Sequence, residues 1–138
     1  MFAVNWLTFS IITIVSWGVW GFLMKLASTY LDWHQMFIAT STVTFAVSLL
    51  IYVSLKPPIN VSLPGFSYAL IAGFVGSLAL VAFNAAVKEG KAIIVVPLTS
   101  LYPVITVVLS YLILHEEMTL IKGLGIVLAL VAIVLVSI

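Results

Sequence analysis

Residues 92–114 read AIIVVPLTSLYPVITVVLSYLIL, an apolar run without a charged side chain and long enough to cross a bilayer core as a helix of about 20 residues. Runs of the same kind lie at about 4–26, 34–55, 66–87 and 119–138, and the five together fill nearly the whole chain. The sequence therefore predicts an all-α, polytopic membrane protein, one domain over residues 1–138 with five transmembrane helices. An odd number of spans puts the two ends on opposite sides of the membrane. Five helices are also few for an enclosed pathway, which raises the question of what completes the unit.

Composition agrees. With 64% hydrophobic residues, 7% charged residues and a mean hydropathy of +1.37, the chain has too little polar surface to cover itself in water. The bilayer is the expected solvent. Cysteine is absent, which excludes disulfides and thiolate metal sites. Met1–Asn5 carries no Lys or Arg and no small-residue cleavage pattern follows the first apolar stretch, so that stretch reads as a retained span.

The connections are short. Lys56-Pro57-Pro58-Ile59-Asn60 stops the second helix, because proline lacks an amide hydrogen and pushes its predecessor out of helical geometry, and Leu63-Pro64-Gly65 leads into the third. Lys88-Glu89-Gly90-Lys91 predicts a tight reversal with Gly90 in a left-handed C-cap, and His115–Thr119 separates the last two helices. No polar domain or tail follows Ser137-Ile138, so function is expected among the helices.

Orientation follows the lysines, since cations flanking spans are held on the cytoplasmic side. Arg is absent; Lys56 and Lys122 share one face with the N-terminus, and Lys25, Lys88 and Lys91 share the other. Two against three is nearly a tie, the count expected of a protein that inserts both ways round.

Several helices carry a face unlike their lipid-facing side. In the first, Trp6, Ser10, Thr13, Trp17, Gly21 and Met24 recur at steps of three and four, with Trp20 beside them. Trp6 suits an interfacial anchor; Trp17 and Trp20 either pack against neighbours or offer cargo a broad apolar face and an N–H donor. In the third, Gly73, Gly76 and Ser77 belong to overlapping small-xxx-small patterns that let helices approach closely. Asn84 follows along that helix, and its amide calls for a hydrogen bond to another helix or to cargo. In the fourth, Thr99, Pro103, Thr106 and Ser110 share a face with Tyr102 beside it, while Pro97 and Pro103 leave the carbonyls of Ile93 and Thr99 without helical donors. A distorted helix with a hydroxylated stripe suits a binding cavity; the plainer reading is that the hydroxyls bond back to their own helix.

Trp17-Gly18 followed by Lys25, the Gly/Ala-rich third helix, the run Pro97-Leu98-Thr99-Ser100-Leu101-Tyr102-Pro103-Val104-Ile105-Thr106, and Glu116 before Gly123 and Gly125 together resemble one repeat of an EamA-type transporter of the drug/metabolite transporter superfamily. The resemblance covers essentially the entire chain. It implies export of amino acids, nucleosides, drugs or other metabolites from a central cavity between two five-helix repeats of opposite orientation. One repeat is present here, so the resemblance implies that two chains pair antiparallel to rebuild the inverted repeat.

No carboxylate lies inside a span: Asp32, Glu89, Glu116 and Glu117 all fall at helix ends or in loops, unlike the first-helix carboxylate of the related small multidrug resistance proteins. Lys25 is expected to snorkel to the interface, and Glu116 reads as a structural or gating residue near the membrane surface or as a solvated loop charge. His34 and His115 have no metal-ligand spacing, no cofactor motif occurs, and cations are too few for a nucleic-acid footprint. Two readings follow. One is a transporter, an antiparallel homodimer moving a small neutral or amphipathic solute past Thr13, Trp17, Trp20, Asn84, Thr99, Tyr102, Thr106 and Ser110, with no cofactor, in a prokaryotic inner or plasma membrane. The other is a non-transporting subunit or half-transporter that needs a sister chain.

Overall fold

The structure is a computed structural model that describes residues 5–57 and 62–137. All regular structure among them is helical: α1 Trp6–Ala27, α2 Trp33–Leu55, α3 Leu63–Glu89, α4 Ala92–Thr99, α5 Tyr102–Ile113 and α6 Leu120–Ser137. Trp6–Ala27, Trp33–Leu55, Leu63–Glu89 and Ala92–Ile113 are each long and apolar enough to cross a membrane, and the last helix holds a shorter apolar stretch, Gly123–Leu135. The chain groups into two compact units, Met1–Glu89 and Gly90–Ile138.

In the first unit α3 packs against both α1 and α2. Asn5 caps α1 by accepting the Leu7 N–H at 3.5 Å. That helix ends where Ser28 and Thr29 turn their hydroxyls back onto the carbonyls of Lys25 and Leu26, each at 2.7 Å, competing with the helical ladder. The Asp32 N–H donates to Gln35 Oε1 at 2.9 Å and opens α2. Lys56 closes α2 in the left-handed region, at φ 42°, while still donating to Tyr52 O at 2.9 Å. Lys56 precedes a proline, which disfavours further right-handed helix. Pro58, Ile59 and Asn60 of the expected stop signal lie outside the described residues, as do Met1–Val4 and Ile138 at the expected outer ends of the first and last helices.

The third helix runs further than the expected 66–87. Pro64 sits in its first turn, where a missing N–H costs nothing, so the helix begins before the proline rather than after it. Ser62 supports that start, its carbonyl accepting from Phe66 N at 2.9 Å and its hydroxyl from Gly65 N at 3.4 Å. At 27 residues and a rise of about 1.5 Å each, α3 is about 40 Å long and outreaches a hydrocarbon core of about 30 Å.

In the second unit the fourth span departs from expectation. A continuous helix over 92–114 with two internal prolines was expected, but it is interrupted at Ser100–Leu101. There the ladder tightens: Ser100 N donates to Val96 O and Pro97 O, both at 3.1 Å, and Leu101 N to Leu98 O at 3.2 Å. Pro97 remains inside α4, whereas Pro103 falls in the first turn of α5, where it starts a helix instead of kinking one. The left-handed cap expected at Gly90 does not form; among the described residues only Lys56 and His115 have positive φ. His115, at φ 53°, follows the end of α5 and precedes residues 116–119, which form no regular element. The main contact of α6 is with α4, not with its sequence neighbour α5.

Candidate functional site

The buried residues of the first unit gather at one end. Gly21 and Met24 of α1, Ser28, Met36 of α2, and Asn84 and Val87 of α3 are buried, whereas most of the remaining apolar surface is exposed, as suits helices solvated by lipid. Trp20 stacks on Phe83 with ring centroids 4.9 Å apart and planes at 26°. The lower part of the tryptophan stripe of α1 is therefore packed against α3. Trp17 and Trp6, further up the helix, are 57% and 75% exposed in the isolated chain.

Lysines close this end. Lys25 Nζ donates to Val87 O at 2.9 Å, and Lys88 Nζ donates to Ser28 O at 3.1 Å and Leu31 O at 3.0 Å and lies 3.3 Å from Asp32 Oδ1. Instead of only snorkelling to the interface, Lys25 satisfies a carbonyl in the last turn of α3, where cations are also favoured by the helix dipole.

Asn84 is fully buried beside Phe83, and neither Oδ1 nor Nδ2 finds a hydrogen-bond partner among the described residues. The helix-to-helix bond expected of its amide is not made. Gly73, Gly76 and Ser77, expected at a helix contact, line an open groove between α2 and α3 with a volume near 370 Å³. A Cβ at Gly73 or Gly76 would meet nothing within 4 Å. The opposite wall of the groove carries Ser41, Thr44 and Ser48. These hydroxyls recur at steps of three and four along α2, a periodicity that marks one face of the helix.

The second unit brings three of the expected residues together. Thr106 and Ser110 of α5 and Glu116 border one cavity of about 340 Å³, along with Tyr111, Glu117 and Met118. Because α6 leans on α4, the space under the turn between α5 and α6 stays open. Glu116 is anchored through its backbone, its N–H reaching Ser110 O at 3.4 Å, and its carboxylate is exposed. Thr99 is outside this cavity; its hydroxyl donates to Val95 O at 2.8 Å and to Val96 O at 3.0 Å, the back-bonding that serine and threonine make within a helix. Thr13 does the same toward Phe9 O at 2.9 Å. Tyr102, on the first turn of α5, is half exposed. Tyr111, Glu117 and Met118 were not expected at a site, and only the cavity's shape reveals them.

Long apolar helices, a proline-interrupted span and a hydroxylated cavity at its foot define a multi-pass membrane protein. The chain belongs to the EamA-like transporter family, which is matched over residues 4–138. It is 34% identical over 128 residues to MJ1333.1, an uncharacterised protein of Methanocaldococcus jannaschii, covering 93% of each chain. No solved structure matches it.

Proposed function

We propose that the protein is a membrane transporter, an exporter of small neutral or amphipathic metabolites such as amino acids, working by alternating access as an antiparallel homodimer of ten helices in a prokaryotic plasma membrane. The observation that carries this reading is the cavity bordered by Thr106, Ser110 and Glu116 at the foot of an interrupted span, in a chain of the EamA-like family. Hydroxyls and a surface carboxylate around such a cavity can exchange hydrogen bonds with a solute that has shed part of its hydration. The break at Ser100–Leu101 supports the same reading, because irregular backbone at membrane depth is tolerated where it lines a cavity or is buried in protein. Thr13, Trp17, Trp20, Asn84, Thr99 and Tyr102 are the further residues that this reading assigns to cargo binding.

Pairing with a second copy is supported by the near-equal lysine count on the two faces and by the open Gly73/Gly76 stripe. The test is reconstitution of the purified protein in liposomes, with counterflow of a labelled amino-acid and metabolite panel beside native mass measurement. A dimer that moves at least one solute is the expected result. Solute movement that needs a second, different chain would assign the protein to a half-transporter instead.

A further inference from the structure

The closed end of the first unit is fastened by polar contacts, with little apolar packing behind them. Gly21 and Met24 are the buried residues of α1, Met36 that of α2, and Asn84 and Val87 those of α3. All lie in the last two turns of α1 and α3 or the first turn of α2; toward the other end the three helices expose their apolar side chains. Across the closed end, the Lys25 ammonium reaches from α1 to Val87 O, and the Lys88 ammonium reaches from α3 to Ser28 O and Leu31 O, with Asp32 beside it. Water can take the place of such contacts, and the Lys88 and Asp32 side chains are already 35% and 61% exposed.

Inside that end is a group that the closed form serves badly. Asn84 is fully buried, and neither Oδ1 nor Nδ2 finds a hydrogen-bond partner among the described residues. Helix α1 grips α3 on both sides of it: Trp20 stacks on Phe83, the residue before, and Lys25 holds the carbonyl of Val87, one turn after. An amide left unpaired in the interior forfeits the hydration of both its polar atoms, a cost that disappears once water reaches it. A leucine, of similar size and without polar atoms, would suit the closed form better. The lysine contacts therefore favour closure and the buried amide opposes it. Opposing terms of the same kind leave two forms close in free energy, which a moving element requires.

We propose that the lysine-clamped end of the first unit is a gate that opens by α1 parting from α3 with both helices intact, and that Asn84 keeps the closed form from being too stable to open. Opening exchanges the Lys25 and Lys88 contacts for water and lets water or cargo reach the Asn84 amide. That the gate admits solute rests on the transporter reading above; the movement itself does not.

The chain lacks cysteine, so one introduced thiol reports on one position. Val87→Cys places it at a fully buried side chain and keeps the carbonyl that Lys25 holds, while Tyr30→Cys, at a residue 82% exposed, is the reference. With a water-soluble maleimide and the full chain in nanodiscs, where both membrane faces are reachable, Tyr30→Cys should react at one rate in every background. Val87→Cys should react slowly, at a rate that low urea leaves unchanged, because a local opening exposes little surface. Adding Asn84→Leu should slow it at least tenfold and raise the melting temperature; adding Lys88→Met should speed it at least tenfold. Met24→Cys, buried on the α1 side, should follow the same pattern and is judged by the same criteria if Val87→Cys does not fold. A buried-thiol rate that climbs steeply with urea would mean exposure by unfolding alone and would overturn the gate. So would a rate indifferent to Asn84→Leu, or a lower melting temperature in that variant, which would show the amide to be satisfied in the closed form by a bound water. Solute flux in liposomes should fall in Asn84→Leu. Flux through a protein whose thiol rates ignore both substitutions would keep the transporter and remove the gate; thiol rates that respond in a protein moving no solute would keep the gate and remove the transporter reading.

Discussion

Lys25 and Lys88 cap each other's helices: the Lys25 ammonium, on α1, donates to Val87 O in the last turn of α3, and the Lys88 ammonium, on α3, donates to Ser28 O and Leu31 O beyond the end of α1. Two helix ends that would leave carbonyls without donors at the membrane surface are thereby tied together. The same two lysines provide most of the positive charge counted on that face, so a topology signal and a tertiary clamp are carried by the same groups.

Removing the clamp should loosen the first unit. Lys88→Met keeps the apolar stem and deletes three interactions, and it should cost about 1–2 kcal/mol, the scale of charge-assisted hydrogen bonds discounted for partial exposure. Asp32→Asn should cost less than about 1 kcal/mol, because its side chain is 61% exposed and the ion pair is screened. Thermal unfolding in detergent, followed for both variants and the double variant, measures the difference. An Asp32→Asn loss as large as that of Lys88→Met would show that the ion pair, and not the carbonyl capping, holds the clamp.

Orientation should respond to small charge changes. Adding two or three lysines within 57–64 should drive the population toward one insertion and adding them within 27–31 toward the other, because the native count is nearly tied. Reporter fusions at the C-terminus read the outcome. A parent protein already inserted in a single direction would remove the basis for an antiparallel pair.

Pro103 should matter more to transport than to stability. With alanine in its place, the residue can donate to Thr99 O and α4 can run straight into α5, erasing the interruption at Ser100–Leu101. Pro103→Ala should therefore melt at or above the parent temperature while solute flux in liposomes falls. Unchanged flux with a large stability loss would place Pro103 in packing alone.

Trp17 and Trp6 should separate by function. Trp17→Ala should weaken cargo binding or uptake, whereas Trp6→Ala should chiefly reduce insertion or stability, since an interfacial indole anchors the helix end. Trp17→Phe should restore most activity if the apolar face is what counts, and little if the indole N–H is. Normal transport by Trp17→Ala, with transport abolished in an abundantly produced Trp6→Ala protein, would reverse these roles.

Hydropathy is local and additive, which is why the sequence alone determined that this is a membrane protein, where its five apolar runs lie and which motifs tie it to its family; that four of the runs form long spans and the last a shorter apolar helix came from the structure. Helix ends were legible where one residue type decides them, as where Pro57 follows Lys56 at the end of α2. Pro64 and Pro103 were harder to read, because a proline stops a helix from its interior but starts one from its first turn, and the sequence does not say which position it occupies. Tertiary structure alone decided the rest. Which carbonyls Lys25 and Lys88 reach, why Trp20 stacks on Phe83 and why Asn84 is buried without a partner all depend on how closely α1 and α2 approach α3. In lipid that approach is set by packing between helices and not by a hydrophobic drive that a hydropathy profile could register.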